Sequence, residues 1–146
     1  VTIRLRVGKS SIHGQGVFAA QNITKGRRIL PYLGEKISPQ EATRRIAQGN
    51  TYIFFFDDHY DIDGKTPKNK ARYINHSCDP NCVSDIIDGQ IWILALRDIR
   101  HGEELNYDYG YELEGYEERP CRCGAQHCCG YILDQEYWGL LRQKAP

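Results

Sequence analysis

Arg72-Tyr73-Ile74-Asn75-His76-Ser77-Cys78-Asp79-Pro80-Asn81-Cys82 gathers an amide, an imidazole, a hydroxyl, two thiols and a turn-forming Asp-Pro into one short stretch. Asn75 and His76 stand side by side, and each presents donors and acceptors in fixed geometry, which suits recognition of a flat polar group. Cys78 follows two residues later, while Cys121, Cys123 and Cys128 form a second thiol cluster far down the chain. A polar recognition element and a distant set of cysteines are thus tied to one segment.

The surrounding composition bounds what that segment serves. A chain of 146 residues has room for one domain with a hydrophobic core. Its 40% hydrophobic content excludes outright disorder. No apolar run approaches a membrane span, and no signal peptide is visible. The sequence contains no Met, so the initiator is absent and a processed leader stays open. Net charge is zero but uneven: residues 1–50 carry nine Lys/Arg against two Asp/Glu, and residues 51–120 carry seven against fifteen. Either the surface has two faces of opposite sign, one suited to a basic peptide and one to phosphate or nucleic acid, or a solvated surface is incidentally clustered. Six cysteines in such a chain require disulfides in an oxidising compartment or a metal. Without a secretory signal, metal is the stronger reading.

Hydrophobic period predicts a strand over residues 1–7, where Ile3, Leu5 and Val7 alternate with Arg4 and Arg6. Gly14 and Gly16 flank Gln15, permitting a tight bend or close approach of backbone to a ligand. A second strand is expected from Arg28 to Gly34. Ser38-Pro39-Gln40-Glu41 reads as a capping box opening a short surface helix that stops at Gly49. Tyr52 to Phe56 and the run ending at Asp63-Gly64 read as a hairpin, with Phe54 and Phe56 in the core. Cys82–Ile87 and Gln90–Arg97 flank Asp88-Gly89, a strong hairpin signal. The second of these strands is apolar on both faces and is expected to be buried on both. Tyr107, Tyr109 and Tyr111 alternate, which a core role alone explains poorly because each buried hydroxyl needs a partner. Residues 112–120 form an acidic loop, and Tyr137 and Trp138 fall in an expected terminal helix. These patterns give one strand-rich domain with one or two short helices.

Arg72 to Cys78 resembles the Arg-Phe-x-Asn-His-Ser-Cys signature of SET-domain protein methyltransferases, with Tyr73 in the Phe place. The resemblance runs in order through Gly14-Gln15-Gly16, Tyr32-Leu33-Gly34-Glu35, Tyr52-Ile53-Phe54, and Gly102-Glu103-Glu104-Leu105-Asn106-Tyr107-Asp108-Tyr109. It ends in Cys121-x-Cys123 and Cys128, which is similar to a post-SET zinc-binding segment. It implies a mainly β, β-clip-like SET fold of small sheets with short helices and a pseudoknot-like C-terminal threading. The implied SET domain spans residues 1–111 and the implied post-SET zinc tail residues 112–146. The same resemblance supplies Cys78 as fourth ligand beside Cys121, Cys123 and Cys128, although Cys82, Cys129 and His127 remain rivals; relatives often carry Arg at the place of Cys129.

What the resemblance implies chemically is protein-lysine N-methylation from S-adenosylmethionine, on a histone tail or on a non-histone protein. Methyl transfer from a sulfonium to an amine is an in-line displacement, so positioning and desolvation do most of the work. The lysine must be neutral although its free pKa is about 10.4, and an aromatic channel beside a cation disfavours the ammonium. Tyr109 falls on the family's catalytic tyrosine, and Tyr107 on a Phe/Tyr switch whose tyrosine form restricts the product mainly to mono-methyl-lysine. Asn75 and His76 are expected at the donor's adenine, and His13, Gly14, Gln15 and Arg72 near its amino-acid end. Tyr52 is expected to border both cofactor and channel. The expected partner is a basic, lysine-containing protein, with nucleic-acid binding and oligomeric state open. The expected location is intracellular, and nuclear if the source is eukaryotic. No cysteine-rich segment precedes the first strand, so substrate-docking elements are expected to be absent or supplied elsewhere. Two other classes compete: a zinc-stabilised binding module without turnover, and a redox or metal-handling protein.

Overall fold

A computed structural model describes residues 2–144, with side chains described as far as Leu141. In chain order the elements are β1 (Leu5–Lys9), β2 (Gln15–Ala19), β3 (Arg28–Pro31), β4 (Glu35–Ile37), α1 (Pro39–Ala47), β5 (Ile53–Phe55) and β6 (Asp61–Asp63). Then follow β7 (Asn75–His76), β8 (Cys82–Ile87), β9 (Gln90–Ala95), β10 (Asn106–Tyr107) and α2 (Trp138–Lys144). Short 3-10 turns cover Lys70–Tyr73, Tyr116–Glu118 and Gln135–Tyr137. Among the described residues the strands fall into four separate sheets: β1-β2, β3-β9-β8, β4-β6-β5 and β7-β10. All pair antiparallel except β7 and β10, which run parallel.

The strand expected over 28–34 is two strands in two sheets. Pro31 is the last residue of β3. Tyr32 N still donates to Ile91 O at 2.9 Å, whereas Leu33 N turns to the Asn69 side chain at 3.0 Å. The chain thus leaves one sheet and enters the next at Gly34, whose Cα lies against the Asp63 backbone. The first strand is also displaced, running from Leu5 to Lys9. Ile3 is buried ahead of it, and Val7 is exposed.

The helix starts as its cap dictates: Ser38 Oγ accepts from Glu41 N at 3.1 Å, with Pro39 in the first turn. Glu41 does not complete a capping box; its carboxylate is taken by Arg44 and Arg45. Arg45 also reaches Asp63 at 2.6 Å and Glu35 at 3.0 Å, which fastens the helix to β4 and β6. Only Ala42 of the helix is buried, as its narrow apolar stripe implied.

The hairpins form as read. Asp88 and Gly89 both take positive φ, 51° and 76°, the backbone a two-residue type I′ turn demands. In β9 the sequence expected burial on both faces, yet Ile91, Ile93 and Ala95 are buried while Trp92 and Leu94 are half-buried. The core covers one side only; on the other, the Arg28 guanidinium lies 5.6 Å from the Trp92 ring. Phe54 and Phe56 pack against the core, and Phe55 between them is exposed. Val17, Ile74, Ile91, Ile93, Ile99 and Leu105, drawn from several sheets and loops, make up its centre.

Gly34 tests this sheet-to-sheet crossing. A Cβ there would collide with the Asp63 carbonyl, which is backbone and has nowhere to go. Gly34→Ala should destabilise the fold by about 1–3 kcal/mol in chemical denaturation. An unchanged midpoint would mean the crossing is looser than described.

Candidate functional site

The organising stretch and the tyrosine stretch lie along each other. In the β7-β10 pair Asn75 faces Asn106 and His76 faces Tyr107, and Ser77 N continues the ladder to Tyr107 O at 3.2 Å. Beyond the pair, Asn81 and Asn106 use their side chains as substitute backbone. Asn81 N donates to Asn106 Oδ1 and Asn106 N donates to Asn81 Oδ1, both at 2.9 Å. Asn81 Nδ2 adds a bond to Glu104 O at 2.8 Å. A two-residue parallel ladder is weak alone, and this reciprocal pair holds its register.

Asn75 reaches in the other direction, to the loop between β1 and β2. Its Nδ2 lies 3.0 Å from His13 O, Gln15 O and Glu104 Oε1, and 3.1 Å from Ser10 Oγ. Four acceptors crowd a nitrogen with two protons, so the amide is locked in one orientation. Its Oδ1 has no partner among the described residues and stays available to a ligand. Ser10 Oγ in turn donates to Glu104 at 2.6 Å and accepts from Ile12 N at 2.9 Å. Gly14, at φ +48°, closes the loop, and Gly16 lies so near Glu104 that any side chain would displace it.

The His76 ring is buried and engaged on both nitrogens. Nδ1 accepts from Tyr109 N at 3.1 Å, so the neutral ring carries its proton on Nε2, which faces Cys78 Sγ at 3.7 Å. Burial lowers its pKa to about 4, and the ring is neutral at physiological pH. Asp108 stands 3.8 Å from Nδ1, beyond hydrogen-bond reach.

Beside it the aromatic residues form a continuous wall. Tyr109 meets His76 edge-on at 5.4 Å, Tyr107 at 4.9 Å and Tyr111 at 5.5 Å. Tyr107 stacks on Phe54, which touches Tyr32. The Tyr109 hydroxyl donates to Ile74 O at 2.6 Å. Burial pushes the phenols of Tyr107 and Tyr109 well above their usual value, so both are neutral. The Tyr107 hydroxyl has no hydrogen-bond partner among the described residues. Arg72 lies between Tyr52 and Tyr73, 5.2 and 4.7 Å from their rings, and donates to Tyr73 Oη at 2.7 Å. Its Nε is buried without a partner among the described residues, an unused donor beside the aromatic wall.

The cysteines converge as one set. The sulfurs of Cys78, Cys121, Cys123 and Cys128 all lie within 4.8 Å of one another. Cys78 Sγ is 3.8 Å from Cys121 and 3.7 Å from Cys128. A zinc ion with bonds of about 2.3 Å sets tetrahedral S···S edges of about 3.8 Å, so the donor set fits zinc in number, type and spacing. Burial raises the Cys78 thiol and takes Cys121 up to about 12. At Cys123 burial works the same way but is outweighed by N–H groups of Cys78 and Ala125 and by the neighbouring thiols, and its pKa falls to about 7. Without a cation the Cys78 and Cys121 sulfurs keep their protons, so metal binding releases them. Of the rivals, Cys82 lies apart in the core, where burial raises its pKa to about 12. His127 is outside the group of four, and so is Cys129.

The structure brings His13, Gly14, Gln15, Asn75, His76, Tyr107 and Tyr109 into one connected neighbourhood, with the cysteines one imidazole away. Tyr52 and Arg72 join it from the far side through Tyr32, whose hydroxyl donates to Tyr52 O at 2.8 Å. Sequence reasoning missed the supports: Ser10, Glu104, Asn81, Asn106 and the Ile74 carbonyl. All but Ser10 lie inside quoted stretches, where nothing in the residue types singles them out as supports.

The cysteine geometry sets a direct test. Cys123→Ser removes one thiolate and opens the tetrahedron, so bound zinc should fall well below that of the parent protein by metal analysis. Full retention would move the fourth ligand elsewhere.

Comparison with known proteins agrees with this arrangement. Residues 14–110 match the SET domain family, a span that holds Asn75, His76, Cys78, Glu104, Tyr107 and Tyr109. The chain is 42% identical over 139 residues to a Schizosaccharomyces pombe histone-lysine N-methyltransferase, H3 lysine-4 specific, covering 88% of this chain and 15% of that protein. It is 40% identical to a Saccharomyces cerevisiae protein of the same description, covering 85% of this chain and 13% of that one. To the Drosophila virilis histone-lysine N-methyltransferase trithorax it is 38% identical, over 86% of this chain and 4% of the relative. The chain thus spans a small fraction of the relatives it matches. Among solved structures, a chain of a humanized mutant of the Chaetomium thermophilum Polycomb Repressive Complex 2, bound to the inhibitor GSK126, is similar at TM-score 0.68 and 33% identity, covering 75% of this chain and 15% of that one. The matched span includes both the parallel seam and the tyrosine wall built on it, and the chain belongs to the SET-domain family.

Proposed function

We propose that this chain is the catalytic region of an S-adenosylmethionine-dependent protein-lysine N-methyltransferase acting on a histone tail, with lysine 4 of histone H3 as its target. The observation that carries the reading is the Tyr109 hydroxyl. Its proton goes to Ile74 O, so toward a substrate the oxygen can only accept. A neutral lysine amine that gives an N–H to this oxygen points its lone pair elsewhere, along the line a displacement needs. A phenol held neutral by burial is no base, so Tyr109 orients the amine and does not deprotonate it.

The cofactor supplies a methyl on a cationic sulfur. Asn75 Oδ1, the loop around Gly14 and the unpaired Arg72 Nε offer an acceptor, close backbone and a donor for its polar ends. The exposed Glu112, Glu114, Glu117 and Glu118, on a loop that Arg119 holds through the carbonyls of Glu112 and Glu114, suit a basic tail. The H3 lysine-4 assignment follows the names of the relatives, and in a eukaryotic cell it puts the protein at chromatin. We take residues 1–111 as the SET domain and 112–146 as the zinc tail.

Tyr107 argues for a limited product. Its free hydroxyl, or a water on it, fills space that a methylated amine must rotate into and pins one orientation.

Incubation with labelled S-adenosylmethionine and histone H3, beside H3 whose lysine 4 is replaced by arginine, tests the reading; label should appear on the first alone. Cofactor binding with no label on any basic protein would favour a binding module. Tyr109→Phe should cut turnover by about 100-fold or more, with cofactor affinity by calorimetry nearly intact. Tyr107→Phe should keep activity and shift product masses from mono-methyl toward higher methylation. Predominant trimethylation by the parent protein would remove Tyr107 as the gate.

A further inference from the structure

Cys129 is a fifth thiol at a site that needs four. Its Sγ lies 3.9 Å from Cys78 Sγ, nearly as close as the sulfurs of Cys121 and Cys128, yet it stands outside the set in which all four sulfurs are mutual neighbours. It donates to Tyr131 O at 3.1 Å, and Cys78 Sγ lies 3.9 Å from that same carbonyl. Both residues are half-buried, so a small solute reaches them. Four thiolates close a zinc site, and a fifth sulfur against one of them adds nothing to holding the metal.

We propose that Cys129 is a redox-active thiol that forms a disulfide with Cys78 when hydrogen peroxide oxidises the site, opening the zinc tetrahedron and replacing the metal link between Cys78 and the tail by a covalent one. The proposal rests on the four-cysteine zinc reading. In the first step the Cys78 thiolate attacks a peroxide oxygen, the O–O bond breaks and hydroxide leaves, giving a sulfenic acid. In the second, the Cys129 sulfur attacks Cys78 sulfur, the S–O bond breaks, the S–S bond forms, and hydroxide leaves with the thiol's proton as water. The two sulfurs lose two electrons, the peroxide gains them, and zinc keeps its charge but loses a ligand.

Cys78 is the fitting partner. Cys128 is the chain neighbour of Cys129, and adjacent Cα atoms are about 3.8 Å apart, less than the roughly 4.4–6.8 Å that a disulfide spans. Cys78 comes from the organising stretch and not from the tail, so its oxidation removes the one of the four ligands that this stretch supplies. His76 faces that sulfur at 3.7 Å on one nitrogen and holds Tyr109 N at 3.1 Å on the other, so the break reaches the tyrosine wall.

The test measures zinc per chain before oxidant, then zinc release under hydrogen peroxide with a chromogenic chelator, and maps disulfides by peptide mass. The parent protein should hold zinc, release it, and yield a joined Cys78–Cys129 peptide that a dithiol reductant separates. Cys129→Ser and Cys129→Ala should hold zinc equally beforehand and release it several-fold more slowly. Equal release rates in parent and both variants, or a disulfide confined to the other three ligands, overturns the switch while leaving the zinc site standing. An untreated parent protein without zinc overturns both.

Discussion

The seam between residues 74–82 and 104–109 is the constraint on which the rest depends. Its ladder is only two residues long, and such a pairing has little intrinsic stability. What fixes it is the exchange between Asn81 and Asn106, each satisfying the other's backbone, with Tyr109 bonded at both its N–H and its hydroxyl to the facing strand. Buried polar groups are costly unless paired, so a one-residue slip would leave several orphaned at once. The register of the seam places Asn75 under the β1-β2 loop and Tyr107 and Tyr109 beside Phe54.

The polar supports and the aromatic wall do different work. Asn75, Ser10 and Glu104 hold a loop rigid by saturating its acceptors, leaving few free directions for a ligand except those the loop presents. The tyrosines create a neutral, poorly hydrated surface whose hydroxyls differ in role: one bound to Ile74 O, the other free. A neutral wall with one fixed acceptor suits an uncharged amine far better than an ammonium, which would lose its hydration on entry.

Much of this was legible in the sequence because short-range rules governed it. The Asp88-Gly89 hairpin and the Ser38 cap depend on neighbours a few residues apart, and each forms where the sequence predicts it. The failures were long-range. The apolar pattern predicts one strand over 28–34, but the turn of Leu33 N to Asn69 and the close packing at Gly34 take the chain into another sheet. Strand β9 looked buried on both faces because apolar alternation cannot report whether anything covers the second one. Ser10 and Asn106 gave no signal, since a side chain that substitutes for backbone looks like any polar loop residue.

His76 illustrates why motif reading locates a site before it explains it. Beside Asn75 its imidazole suggests a polar recognition element, and the ring is engaged on both nitrogens, one by Tyr109 N and one by Cys78 Sγ. The ring joins three parts of the fold: the organising stretch that carries it, the tyrosine strand it receives a bond from, and the thiol cluster that gathers the tail. A neutral imidazole can accept on one side and donate on the other, which no carboxylate, ammonium or guanidinium can do. That double capacity, with a pKa low enough to keep the ring uncharged, accounts for a histidine at this position independently of any ligand it helps to bind.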